Sequence, residues 1–455
     1  MPIIAGGIGS GLDVNSLVSQ LVAAEAEPVN ERLNAREIDL GSELSAFGTL
    51  KSALSSFQSS VTKLGSESAF QVFKASSSNE DLFTATADDT AVAGNYNIEV
   101  VQLAQANKLR SDDFSAATEV VGTGLLDISQ GAATFQLSID SSNNTLEGIR
   151  DAINSASDNP GITASLIRVD SGTQLILTSS EVGSGNAITV AVTDDDALDG
   201  FDLARLATAN LTVVNPASDA IIKVDAQTVT RGSNNFSDVI TGVTFNLTEA
   251  QPGTTETLSV ALDVNTIKAD LKNFVSNYNT LTGVMKGLSN FDASTLVSGP
   301  LNGDSILRGV QSSMRQALST AVTGGAFSSL SELGITLGDT GSLVINDTTL
   351  NEKLNDDIAD VRTFFTSSTG LAQSFTSALS GYAADDGIID SRSDGLQTRI
   401  DNIDDRRDVL SRRMASLEAR LNAQFAAMDI LVSQLQSTGN YLSQQLANLP
   451  KPYAG

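Results

Sequence analysis

The sequence predicts an α+β multidomain protein in which long coiled-coil-like terminal helices and a helical bundle domain bracket two β-rich inserted domains. Three observations carry that expectation. Leu396, Ile400, Ile403, Leu410, Met414, Leu417, Leu421, Met428, Leu431 and Leu435 recur every three or four residues, the spacing of a coiled-coil assembly seam. Near the other end Leu33, Leu40, Phe47, Leu54 and Val61 recur every seven, with Leu44, Leu50, Phe57 and Leu64 on the same face, although the seam drifts out of any single heptad frame. Between them lies a Gly-, Ser-, Thr- and Asp-rich interior of short alternating segments. The termini are expected to close on one another and hold the middle out as an insertion, a layout suited to a part of an assembly.

Asp13 is placed to cap a helix through Val14, Leu17, Val18, Leu21 and Val22, and Gly9 and Gly11 discourage an earlier start. Pro28 permits a new start or a kink. Helix then runs over 29–64, with Glu25, Glu27, Glu31, Glu37, Asp39 and Glu43 close to the seam, and ends near Gly65. From Phe70 the period becomes two: Tyr96, Ile98, Val100, then Phe135, Leu137, Ile139, then Ile188, Val190, Val192 read as strands. Further strands are expected at 175–177, 222–224, 243–247 and 258–262. One helix interrupts them, with Leu146, Ile149 and Ile153 on one face, Asn144 as N-cap and Glu147 completing a capping box.

Helix returns with Ile267, Leu271, Phe274, Tyr278, Leu281, Met285 and Leu288, and again with Leu307, Val310, Met314, Ala317 and Ala321. A hairpin pairs Ile335 and Leu337 with Leu343 and Ile345 across Gly338-Asp339-Thr340-Gly341. No proline falls between Pro300 and Pro450, which allows a C-terminal helix. At ~1.5 Å per residue it spans ~60 Å from Leu396 to Leu435. Junctions at Thr123-Gly124 and Asn215-Pro216 complete a four-part division. Its parts are 1–35 with 436–455 (terminal helices), 36–70 with 263–435 (helical bundle), 71–124 with 216–262 (β-rich) and 125–215 (inserted α/β).

A length of 455 residues and 41% hydrophobic content allow about three or four domains with a core each. The absence of His, Cys and Trp removes imidazole and thiolate metal sites, cysteine nucleophiles, the Ser-His-Asp triad and disulfides. Carboxylate chemistry survives with 54 acidic residues. The net charge of −27 disfavours nucleic acid and anionic membrane as partners, and no apolar run is long enough to span a bilayer. The start MPIIAGGIGSGLD lacks the basic and apolar regions of a secretory signal peptide.

Candidate chemistry is sparse. GGIGSG invites a dinucleotide reading, but G-x-G-x-x-G fails at Leu12 counted from Gly7 and at Val14 counted from Gly9. Asp194, Asp195, Asp196, Asp199 and Asp202 resemble a calcium loop, yet Leu198 stands where an oxygen ligand is needed, and a solvated loop is the simpler reading. A carboxylate glycosidase needs two carboxyl groups facing across a cleft, and no such pair is evident. No cofactor, catalytic residue or metal ligand is expected.

Arg392, Arg399, Arg406, Arg413 and Arg420 are spaced by seven along one edge of the C-terminal seam. With Ile400, Met414, Leu421 and Leu435 at a, they occupy g, and Asp404 and Glu418 occupy e. They form either a solvated face or a charge-alignment edge that meets the acidic N-terminal helix of the same or a neighbouring subunit. Arg407 and Gln424 are polar residues within the seam, setting register or marking where the bundle meets water.

Several motifs resemble one family. GIGSGLDVNSLVSQLVAAEAEPVNERL at the start and GNYNIEVVQLAQANKL from Gly94 to Leu109 are similar to the flagellar filament-cap family, also called flagellar hook-associated protein 2. So are TLEGIRDAIN, GITASLIR and LILTSSEVGSGNAI in the interior, LKNFVSNYNTL from Leu271, and LNGDSILRGVQSSMRQAL from Leu301. The resemblance spans nearly the whole chain in order.

The resemblance implies a leg domain made of the terminal helices, a helical domain, and two β-rich domains forming a plate. It implies secretion by the flagellar type III export route without a cleaved signal. At the filament tip it implies a homo-oligomeric ring of about five subunits, although terminal coiled coils support several symmetries. The ring would retain exported flagellin and promote its folding and insertion into the growing filament. Hook–filament junction proteins and a flagellar export chaperone would be further partners, and no catalytic residue is implied. Coiled-coil termini that are individually marginal would order on packing against neighbours. The alternative is a surface adhesin that binds host or mucin glycans through the central region, 125–215.

Overall fold

The computed structural model describes residues 13–194 and 202–447. Among them are eight α-helices: α1 (Val14–Leu64), α2 (Leu146–Ser155), α3 (Val264–Ser289), α4 (Ser305–Ser319), α5 (Asp347–Asp356), α6 (Ile358–Thr366), α7 (Leu371–Ala383) and α8 (Ile388–Ala447). The chain divides into two units, Met1–Ala69 with Lys268–Gly455, and Phe70–Ile267. The long terminal helices with antiparallel sheets between them match the α+β class expected from periodicity.

In the helical unit, α1 starts where Asp13 Oδ1 accepts the Ser16 N–H at 3.0 Å, leaving one fewer orphan donor at the helix end. The helix runs unbroken through Pro28, so the new start considered there does not occur. It stops at Gly65, whose N–H is shared between the carbonyls of Val61 (2.9 Å) and Thr62 (3.2 Å). A Cβ at Gly65 would lie 3.1 Å from that of Ala372, so glycine lets α7 approach.

From Leu40 onward most of the heptad residues of α1 become core, while Leu33 and Leu44 are half-buried. Phe47, Leu50, Leu54 and Phe57 are fully buried. Phe57 meets Phe375 of α7 edge-on at 5.0 Å between ring centroids, and Phe274 and Tyr278 of α3 at 5.5 and 5.8 Å. Offset and edge-on aromatic pairs of this kind add to the area they bury. The expected hairpin forms from Ile335–Leu337 and Leu343–Ile345. Asn279 of α3 pins it, accepting the Leu343 N–H at 2.7 Å and donating to the Leu343 carbonyl at 2.9 Å. Helix α4 ends at Ser319, with the Thr320 N–H bonded to the Gln316 carbonyl at 3.0 Å, and Ala321 lies just outside it. Helices α5, α6 and α7 were not expected from the periodicity.

In the second unit every sheet is antiparallel. A five-stranded sheet runs in the order Phe73–Ser77, Glu256–Leu262, Gly94–Gln102, Ala220–Val224, Gln227–Arg231, and a three-stranded one Asn235–Ile240, Val243–Leu247, Phe83–Ala87. Their inward residues form one core that includes Phe83, Ile98, Val100, Ile222, Phe245 and Leu258. A four-stranded sheet (Thr212–Asn215, Ala106–Arg110, Gly172–Val182, Ile162–Val169) and a three-stranded one (Ala133–Ile139, Gly124–Gln130, Ile188–Asp194) enclose a second core. It holds Phe114, Ile128, Phe135, Leu177 and the apolar face of α2. Buried Asn107 joins the second pair of sheets, accepting the Ile188 N–H and donating to the Asn215 carbonyl, both at 2.9 Å.

Two details correct the sequence reading. The cap of α2 is Thr145, whose hydroxyl accepts the Gly148 N–H at 3.1 Å, and not Asn144. Asn144 is instead held extended, its carbonyl receiving the Val121 N–H at 2.8 Å. The Glu147 N–H goes to the Ala117 carbonyl at 2.9 Å. In the acidic run, Asp202 caps a short 3-10 turn by accepting the Ala204 N–H at 2.8 Å, and Asp194 accepts the Leu203 N–H at 3.1 Å. Asp195, Asp196, Leu198 and Asp199 lie outside the described residues, as does GGIGSG. Among the described residues no acidic group has metal-site geometry, and no helix is long and apolar enough to cross a membrane.

Candidate assembly surface

The seam residues of α8 fall into two sets. Leu396, Ile403 and Met414 are buried; Ile400, Leu410, Leu417 and Leu421 are half-buried. Met428, Leu431 and Leu435 are 44%, 57% and 65% exposed, and Ile430 among them and Tyr441, Leu442 and Leu446 beyond them are exposed too. The buried set faces α1. Lys51 bonds Asp390 at 2.6 Å, Glu43 pairs with Arg392, Glu37 with Arg407, and Glu25 with Arg413 at 3.6 Å. Descending along α1 thus means ascending along α8, so the two helices are antiparallel.

That register brings the beginning of α1 level with the stretch from Phe425 to Met428. Val14 and Val18 are buried, but the last ~20 residues of α8, ~30 Å of helix, pass beyond any described partner in this chain. An apolar face is left open over that length.

The arginine edge divides as well. Arg413 reaches Glu25, both side chains well exposed, and Arg392 reaches Glu43 with its guanidinium 5.9 Å over the Phe47 ring. Arg399, Arg406 and Arg420 are exposed and form no salt bridge among the described residues. A further polar contact to α1 belongs to Arg407, read from sequence only as a polar residue in the seam. It donates to Glu37, to Asn34 Oδ1 at 2.7 Å and to Asp404 at 3.0 Å. The Arg407 hydrogen bond holds the Glu37 carboxyl below its ordinary range, and that of Asp390 raises the Lys51 ammonium. Both contacts favour the charged forms that align the helices. The signal for Arg407 was its place at a heptad a position; nothing marked Asn34 or Asp390.

Comparison with known proteins follows the same order along the chain. The model of the flagellar hook-associated protein 2 N-terminus matches residues 10–107, that of the flagellar hook-associated protein 2 C-terminus matches 217–437, and that of the flagellin hook IN motif matches 126–181. The chain is 34% identical to the B-type flagellar hook-associated protein 2 of Pseudomonas aeruginosa, over 98% of this chain and 97% of that one. It is 33% identical to the flagellar hook-associated protein 2 of Escherichia coli, with 97% of each covered. The crystal structure of the flagellar cap protein FliD domains from Escherichia coli superposes with a TM-score of 0.64 at 30% identity, covering 77% of this chain and 99% of that one. These relatives are named as flagellar components, and glycan binding by residues 125–215 draws no support from them.

Proposed function

The chain belongs to the flagellar hook-associated protein 2 family, and from that premise we propose that it caps the distal tip of the bacterial flagellar filament. It forms a homo-oligomeric ring there, retains exported flagellin and promotes its folding and insertion into the growing filament. The observation that carries this reading is the open apolar face of α8 from Met428 to Leu446, where the large apolar side chains stay exposed among the described residues of the chain. Neighbouring copies supply the partner, so the end of the helix acquires its order from assembly.

The four-part division fits such a role: terminal segments 1–35 and 436–455 act as legs, 36–70 with 263–435 as the helical support, and 71–124 with 216–262 and the inserted 125–215 as a plate. Many individually weak leg contacts allow the cap to shift after each insertion, because breaking one contact does not release the ring. Export through the flagellar type III channel, delivery by an export chaperone and contact with the hook–filament junction proteins belong to the same proposal.

Deleting the gene in its native bacterium is the test, with flagellin measured in the culture supernatant and filament length by electron microscopy. Short filaments with leaked flagellin are expected, restored by the intact chain but not by a Leu431→Glu, Leu435→Glu variant. Normal filaments without leakage would reject the capping role.

A further inference from the structure

The helical unit carries an apolar tip and an apolar groove that do not occupy one another within the chain. The tip is the hairpin of Phe291–Asp292 and Val297–Ser298 between α3 and α4. Phe291, Leu296 and Val297 are 52%, 77% and 63% exposed, a cluster of large apolar side chains presented to solvent. Its turn is internally braced: Asp292 Oδ1 accepts the Ser294 N–H at 2.8 Å and the Ser294 hydroxyl at 2.6 Å. Leu296 sits at φ +56°, a left-handed conformation that a leucine rarely takes. At the base the Gly299 N–H bonds the Asn290 carbonyl at 2.7 Å, and the Leu301 N–H bonds that of Leu288 at 2.9 Å.

The groove lies between α4 and the hairpin of Ile335–Leu337 and Leu343–Ile345, and measures about 600 Å³. Its floor is buried Leu330, Ile335 and Leu343, with exposed Leu337 on one wall and hydroxyls such as that of Ser331 at the rim. Arg315 also lines it and makes no salt bridge among the described residues. The volume is in the range of sites that bury small ligands.

We infer that the Phe291–Val297 tip of one copy seats in the groove beside α4 of a neighbouring copy, making a head-to-tail contact of the assembly. The occupant follows from charge. A chain of net charge −27 repels its own copies unless a contact offers opposite signs, and here Asp292 on the tip meets the unpaired Arg315 in the groove. A contact between two different patches of the same chain is heterologous, and such contacts close into rings when the rotation permits. The inference rests on the ring reading above and places one of its contacts in the helical unit, apart from the legs.

The chain has no cysteine, which makes the test clean. Full-length Leu296→Cys and Ser331→Cys variants are mixed, oxidised or bridged with a short bismaleimide, and run on denaturing gels beside each variant alone. Sedimentation of the unmodified chain is measured in parallel. A covalent dimer from the mixture, with neither variant cross-linking alone, is expected. Leu296→Glu, at an exposed site that leaves the circular dichroism spectrum unchanged, is expected to weaken self-association about tenfold or more. Assemblies that sediment normally but give no mixed cross-link overturn this contact and leave the ring reading standing. Cross-linking of Leu296→Cys to itself overturns it in favour of tip-to-tip packing. A chain that remains monomeric overturns both readings.

Discussion

Leu396 and Leu435 belong to one helix and one apolar repeat, yet the first is 1% exposed and the second 65%. The near half of α8 packs on α1, whereas the large apolar side chains of the far half stay exposed among the described residues. Periodicity therefore reports that a face needs a partner without reporting whose chain provides it. Burial in the single chain makes that distinction, and mutation tests it directly. Leu396→Ala is expected to destabilise the helical unit by about 2–5 kcal/mol, the usual range for emptying a core leucine site. Leu435→Ala should change the stability of the monomer by no more than about 0.5 kcal/mol. Its cost should appear in sedimentation as weaker self-association. Urea denaturation followed by helical circular dichroism at a concentration where the chain is monomeric separates the two; equal losses would remove the contrast.

Charge sharpens the same comparison along the paired half. Arg407→Gln breaks contacts to Glu37, Asn34 and Asp404 together, so it should lower the thermal midpoint at low salt. Arg399→Gln and Arg406→Gln, whose side chains are exposed and form no salt bridge among the described residues, should leave it where it was. Added salt should shrink the Arg407 effect by screening the contacts. A midpoint that falls equally for all three would mean that the arginine edge acts as one field rather than through one residue.

The long elements were legible because they repeat. Heptads on α1 and α8, the four-three spacing on α3 and period two in strands such as Gly94–Gln102 each span enough residues for the pattern to outweigh local composition. Helices α5, α6 and α7 were missed for the opposite reason. They are short and separated by Asp357 and by the Ser367–Gly370 turn, so buried residues at helical spacing, such as Val361, Phe364 and Phe365, recur over only one or two turns in each. The arginine edge was read one step wide: Arg392 and Arg413 of the seven-residue row reach α1, but between them the contact to Glu37 belongs to Arg407, one position beyond Arg406. Thr145 displaced Asn144 as a cap because the strand-like bond from Val121 fixes where the chain turns, a tertiary constraint absent from the local sequence.

The smallest expected effect concerns acid, and it isolates the core end of the helical unit from the open end of α8. Asp347, the first residue of α5, accepts from Lys268 at 2.8 Å and Lys272 at 2.9 Å on α3. Those hydrogen bonds lower its carboxyl from 3.8 to about 2. A carboxyl depressed on folding contributes stability above its unfolded value, and that contribution is lost as pH falls from 3.8 toward about 2. Asp347→Asn should therefore lower the urea midpoint at neutral pH, and the gap from the unaltered chain should close as pH falls through that window. Below it the two should coincide. The exposed position of Asp347 keeps the effect smaller than that of Leu396→Ala, and salt should reduce it further. Self-association through the far half of α8 should be untouched by the substitution. If acid instead narrowed the gap between Leu435→Ala and the unaltered chain in sedimentation, protonation would be acting on the open helix end, and the separation of the two halves would fail.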